Sequence, residues 1–149
     1  MKIVERLDLD LKAAMKAKDE LRLSVLRMAK SDLRYKQIEL GHELSDDEVV
    51  SVFSTAAKKR REAASEYDRG GRQDLADNER AELKIISEYL PEQLSPDELN
   101  ALIDKAIALS GATTIKDMGA IMKVLMPEVR GRADGKAVNT AVKARLEGK

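Results

Sequence analysis

The sequence predicts an all-α protein: an N-terminal four-helix domain of long helices, followed by a small three-helix C-terminal bundle. Three observations predict it. Apolar residues recur at spacings of three and four along almost the whole chain, and no period-two strand pattern appears. The apolar content is Leu, Ile, Val, Met and Ala with one Phe, three Tyr and no Trp, a composition that favours helices over strands. The three prolines and most of the eight glycines fall between periodic segments, where helices start and stop.

The first helix carries Val4, Leu7, Leu11, Ala14 and Met15 on one apolar stripe. Asp19 is placed to cap a second helix, with Leu21, Val25, Leu26, Ala29 and Leu33 inward and an end near Gly41. The pattern leaves open whether these are two helices or one bent rod. Ser45-Asp-Asp-Glu48 is a capping box. It opens a long third helix through Tyr67, with Val49, Phe53, Ala56, Ala57, Ala64 and Tyr67 inward, closed by Gly70-Gly71. A fourth helix is expected from about Asp74 to Leu90, carrying Leu75, Leu83, Ile86 and Leu90, until Pro91 breaks it.

Leu90-Pro-Glu-Gln-Leu-Ser-Pro96 is the expected boundary between domains at 1–92 and 93–149. Ser95 caps a fifth helix with Pro96 in its first turn. Leu99, Leu102, Ile103, Ala106 and Ile107 form its stripe, up to Gly111. The sixth starts at Thr114 or its neighbours and turns Met118, Ile121, Met122, Leu125 and Val129 inward; Pro127 is expected to kink or stop it. The seventh runs from about Gly135 to Leu146, with Val138, Ala141, Val142 and Leu146 inward. At roughly 55 residues the second domain is near the lower size for folding alone.

Composition narrows the chemistry. Cysteine is absent and His42 is the one histidine, so no disulfide framework, thiolate nucleophile or Cys/His metal cluster is expected. His42 reads as an exposed loop residue, and Asp46, Asp47 and Glu48 as the acidic start of a helix. A phosphate-binding P-loop and a dinucleotide fingerprint are both missing. No catalytic residue, metal or cofactor is assigned. The N-terminus is charged from Lys2 and has no apolar signal core. No run approaches the roughly 18–20 apolar residues of a membrane span. The expectation is a soluble, cytoplasmic protein with no membrane partner.

Charged residues make up 36% of the chain and the net charge is zero, but the charge is uneven. From Lys116 onward eight Lys and Arg stand against four Asp and Glu, and local patches steer charged partners more than the total does. The turn Arg130-Gly131-Arg132-Ala133-Asp134-Gly135-Lys136 holds three of those cations. Backbone N–H groups at a helix start, flanked by cations, suit a phosphate. The alternative is a plain helix connection with Asp134 as cap. Arg130, Gly131, Arg132, Gly135 and Lys136, with Lys123 and Lys143, are the candidate nucleic-acid-binding residues. A secondary basic patch is Lys58, Lys59, Arg60, Arg61, Arg69 and Arg72. Its alternative is a solvated face with ion pairs such as Lys58 with Glu62 and Glu66 with Arg69. Few aromatics are available for base stacking, so contact with a folded RNA backbone fits better.

Five segments carry a resemblance over nearly the full length: Leu23-Ser-Val-Leu-Arg-Met-Ala-Lys30, Lys59-Arg-Arg-Glu-Ala-Ala-Ser-Glu-Tyr67, Gly71-Arg-Gln-Asp-Leu-Ala76, Glu88-Tyr-Leu-Pro-Glu-Gln-Leu94 and Met118 through Leu146. The chain resembles the YqeY family. Gly131 through Lys136 match that family's most recognisable motif. The family is similar, in its C-terminal part, to the tail domain of the B subunit of the tRNA-dependent amidotransferase. The resemblance implies two helical domains and kinship with a module that helps to hold tRNA while misacylated tRNA is amidated. It implies no catalytic residues, and the chain has no room for the amidation domain. Three functions follow as alternatives: a non-catalytic tRNA-binding accessory module, with an aminoacyl-tRNA synthetase or amidotransferase subunits as protein partners; a carbon–nitrogen ligase using glutamine as amide donor, or a component of one; or a helical protein-interaction adaptor.

Overall fold

The computed structural model describes residues 1–148, and it is all-α: no strand occurs among them. Seven α-helices follow one another: α1 (Ile3–Ala17), α2 (Glu20–Leu40), α3 (Asp46–Arg69), α4 (Gln73–Ser87), α5 (Pro96–Ser110), α6 (Met118–Val129) and α7 (Gly135–Glu147). A short 3-10 turn, Ile115–Asp117, precedes α6. No helix is long and apolar enough to cross a membrane among the described residues. The chain divides into two compact units, Met1–Pro91 and Glu92 onward.

Helix starts follow capping chemistry. The Asp19 carboxylate accepts the Arg22 N–H, and Ser45 and Ser95 each complete a capping box with Glu48 and Glu98. Asp134 accepts the Ala137 N–H at the start of α7. The bent-rod alternative for α1 and α2 falls, because Lys18 adopts a left-handed backbone at φ 56° and separates them.

In the first unit Leu7, Leu26, Val49, Phe53, Ala57 and Ile86 are the centre of the core. Met15 and Leu21, expected inward, are 52% and 37% exposed. At 3.6 residues per turn each sits about 80° off the centre of its helix's buried stripe, at the solvent edge. Helix α4 stops at Ser87, short of the expected Leu90. Glu88, Tyr89 and Leu90 instead bond back three residues, to Ile85, Ile86 and Ser87. The residue before a proline disfavours the α region, so the chain tightens ahead of Pro91.

That tightened turn places Tyr89, 3% exposed, edge-on against Phe53 with ring centroids 5.9 Å apart. Its hydroxyl donates to Asp10 at 2.5 Å, and the Arg6 guanidinium lies 4.6 Å from its ring centroid. Burial, then the bond to Asp10, pushes the Tyr89 phenol far up from its ordinary value. Arg22 reaches Glu88 at 2.6 Å, and Arg6 donates to the Glu88 carbonyl at 2.9 Å. The end of the unit is thus bound to its own first two helices.

The second unit has its own core: Leu99, Ile103 and Ile107 of α5 meet Ile121, Leu125 and Val129 of α6 and Val138, Val142 and Leu146 of α7. Helix α6 does not stop at Pro127; it continues to Val129. A proline near a helix end removes only one backbone donor, and the buried Val129 favours completing the turn. Asp117 accepts the N–H groups of Thr113 and Thr114, which fixes the 3-10 turn and holds its carboxyl below the usual range.

Candidate nucleic-acid interface

The turn between α6 and α7 is built from main-chain geometry. Helix α6 ends at Arg130, whose N–H bonds to the Met126 carbonyl. Gly131 follows at φ 74°, the left-handed region that costs glycine least. The Arg132 and Ala133 N–H groups both turn back to the Val129 carbonyl, at 2.8 and 3.2 Å. Asp134 then caps α7, with Gly135 as its first residue.

Arg132 is half-buried and bonded within the protein. Its Nε donates to the Glu92 carbonyl at 3.1 Å and its Nη1 to the Glu128 carbonyl at 3.3 Å. The Leu94 N–H donates to the Arg132 carbonyl at 2.8 Å, and Gln93 Nε2 to the Gly131 carbonyl at 2.8 Å. The segment 92–94 is therefore laced to the turn by three hydrogen bonds, and Arg132 is a positioning residue within it. Sequence reasoning placed Arg132 among the contact cations and missed Glu92, Gln93 and Leu94 altogether.

Arg130 and Lys136 behave differently. Both are exposed, and among the described residues neither has a carboxylate within ion-pair distance. The N–H groups of Gly135 and Lys136, in the first turn of α7, have no acceptor inside the helix. A Cβ at Gly135 would meet nothing within 4 Å, so the glycine is not demanded by space; its bare Cα leaves those N–H groups uncovered. The Asp134 carboxylate is the one negative group of the turn, and it is occupied with Ala137.

Helical spacing extends this surface. Lys136 and Lys143 are seven residues apart on α7, so they share one exposed stripe about 10 Å long. The same seven-residue interval links Lys116, Lys123 and Arg130 along the exposed side of α6 and its leading turn. Lys116 was not singled out from sequence; its only signal was its place at the start of the cation-rich tail. Arg145 is withdrawn from this set by Asp104, at 2.8 and 2.5 Å, which raises its already high pKa further.

The secondary basic patch is dispersed. Arg60 is 8% exposed: it donates to the Ala56 carbonyl, touches the Met28 sulfur at 3.4 Å and faces Glu82 at 3.5 Å. As a buried, paired group it leaves the solvent-facing set. Its position on α3 turns it toward α4, which a linear reading of Lys-Lys-Arg-Arg does not reveal. Arg69 pairs with Glu66, and Arg72 with Asp74 at 3.2 Å. Lys58, Lys59 and Arg61 stay exposed. His42 lies in its loop with Nδ1 2.8 Å from the Glu43 carbonyl and Nε2 3.6 Å from Glu48. Among the described residues no group of three His, Cys, Asp or Glu is arranged to hold a metal ion.

The architecture is that of an all-α protein with two helical units, the second built around a clamped, cation-bearing turn. The chain belongs to the YqeY family: the model of that family, Yqey-like protein, matches residues 4–146. It is 33% identical over 99 residues to "Altered inheritance of mitochondria protein 41, mitochondrial" of Vanderwaltozyma polyspora, covering 64% of this chain and 54% of the relative. The protein of the same name from Saccharomyces cerevisiae is 29% identical over 132 residues, covering 88% and 70%. That from Lachancea thermotolerans is 34% identical over 88 residues, covering 58% and 47%. The chain thus spans about half the length of the first and third of these relatives. Their shared name assigns them to mitochondria.

Proposed function

We propose that this protein is a non-catalytic accessory module that contacts the backbone of a folded RNA, tRNA being the candidate, through the α6–α7 turn. One observation carries the reading: Arg130 and Lys136 stand exposed and without a carboxylate partner, beside the uncovered first turn of α7, on a turn that Arg132 holds in shape. Phosphates are the ligands that such a set of donors satisfies. Lys116, Lys123 and Lys143 widen the positive surface to the scale of several phosphates. Resemblance of the family to the tail domain of the amidotransferase B subunit supports tRNA over other RNAs, and supports a synthetase or amidotransferase subunit as the protein partner. The reading requires only a compartment that contains tRNA, which suits both the cytoplasm expected from the sequence and the mitochondrial location in the relatives' name.

The test is a titration of labelled tRNA with wild type, the double variant Arg130→Ala/Lys136→Ala, and the triple variant Lys58→Ala/Lys59→Ala/Arg61→Ala. At about 0.1 M salt the double variant should bind about tenfold more weakly, as expected for losing two phosphate contacts. The triple variant should lose less. Equal affinity of the double variant and wild type would remove the turn from the function. A larger loss in the triple variant would move the interface to α3.

A further inference from the structure

A cavity lies in the first unit. It has a volume of about 580 Å³ and lies among α1, the C-terminal half of α2 and the α2–α3 loop. That volume is within the range of small-molecule sites, about 300–1,000 Å³. Its walls are aliphatic: Val4, Leu33, Ile38 and Leu44. Ile38, at its lip, is 72% exposed. The His42 imidazole is the one aromatic ring among the lining residues.

The rim is cationic. Lys2, Lys30 and Arg34 line it, with Glu43 as the one lining carboxylate. Lys2 lies 3.8 Å from Glu43, and Lys30 is bound at 2.8 Å to Asp8. Arg34 is exposed and has no ion-pair or hydrogen-bond partner among the described residues. A guanidinium left open over aliphatic walls complements a ligand with an anionic head and an aliphatic body.

We infer that this cavity binds a small anionic amphiphile, an alkyl carboxylate or alkyl phosphate, with its chain on Val4, Leu33, Ile38 and Leu44 and its head on Arg34. The full-length ¹⁵N-labelled protein is titrated with decanoate, decyl phosphate and decylammonium, each below its micelle concentration, and amide shifts are followed. Either anion should shift amides in the segments 30–38 and 41–44, and the ratio of the two affinities identifies the preferred head. Decylammonium should bind at least about tenfold more weakly, and Arg34→Glu should weaken the anions by about tenfold or more, the scale of one charge-assisted contact. Lys84→Glu, the same charge change on α4, should leave binding unchanged. Ile38→Glu at the exposed lip is the second variant and should also weaken binding. Equal binding of anion and cation, shifts confined to other residues, no shifts at all, or full affinity in both Arg34→Glu and Ile38→Glu would overturn the site.

Discussion

Arg132 and Arg130 are two residues apart and carry the same side chain, yet they do different work. Arg132 spends its guanidinium on the carbonyls of Glu92 and Glu128, while Arg130 has none of these bonds. The fork geometry matters for the first, since one planar group reaches two carbonyls at once, and an ammonium does not reproduce it. Arg132→Ala should therefore destabilise the protein by about 1–3 kcal/mol in urea denaturation, the range for hydrogen bonds to a charged donor. It should also speed hydrogen exchange at the Leu94 amide, which bonds to the Arg132 carbonyl. Arg132→Lys should recover only part of both effects. Arg130→Ala should change neither. An unaltered Leu94 exchange rate in Arg132→Ala would mean that the side chain does not hold the turn.

At the scale of helices, boundaries set by local chemistry were legible: Gly41, Gly70 and Gly111 close α2, α3 and α5 as expected. Asp19, Ser45, Ser95 and Asp134 cap the helices they were expected to cap, because a cap is a local contact between residues three apart. The early end of α4 and the survival of α6 past Pro127 depend on which residues the core buries, Tyr89 and Val129 among them. The same division holds in the candidate site. Clustered charge, the Gly131 turn and the Asp134 cap are visible in the sequence. The lacing of Glu92 to Arg132 is not, because it spans 40 positions and ends on a carbonyl that every residue owns. Arg60 is the converse case: its burial depends on Glu82 from another helix.

The α5 cap also has a pH signature. Glu98 accepts the Ser95 N–H, and that bond, followed by the Ser95 hydroxyl, holds its carboxyl below the ordinary value of 4.5. A lowered folded pKa means stability that is complete above 4.5 and lost as pH falls through the folded value. Glu98→Gln keeps an acceptor but loses the charge, so its melting temperature should lie below wild type at pH 7 and converge with it near pH 3. A constant gap across that range would show that the charge is not the stabilising feature.

At the scale of the whole molecule, the net charge of zero conceals a polarity along the chain. Its positive end coincides with a unit that has its own core. A neutral protein avoids indiscriminate attraction to polyanions, while a local cluster still steers one face toward a phosphate backbone. Removing a single member should weaken such a cluster without dismantling the fold. The account therefore rests on where the counterions are displaced. The most direct measurement is the slope of log Kd for tRNA against log salt concentration, in wild type and in Arg130→Ala/Lys136→Ala, with circular dichroism to verify equal helicity. The account expects a steep wild-type dependence, reduced in the variant by about two units of slope, one for each lost phosphate contact. Parallel lines for the two proteins would contradict it.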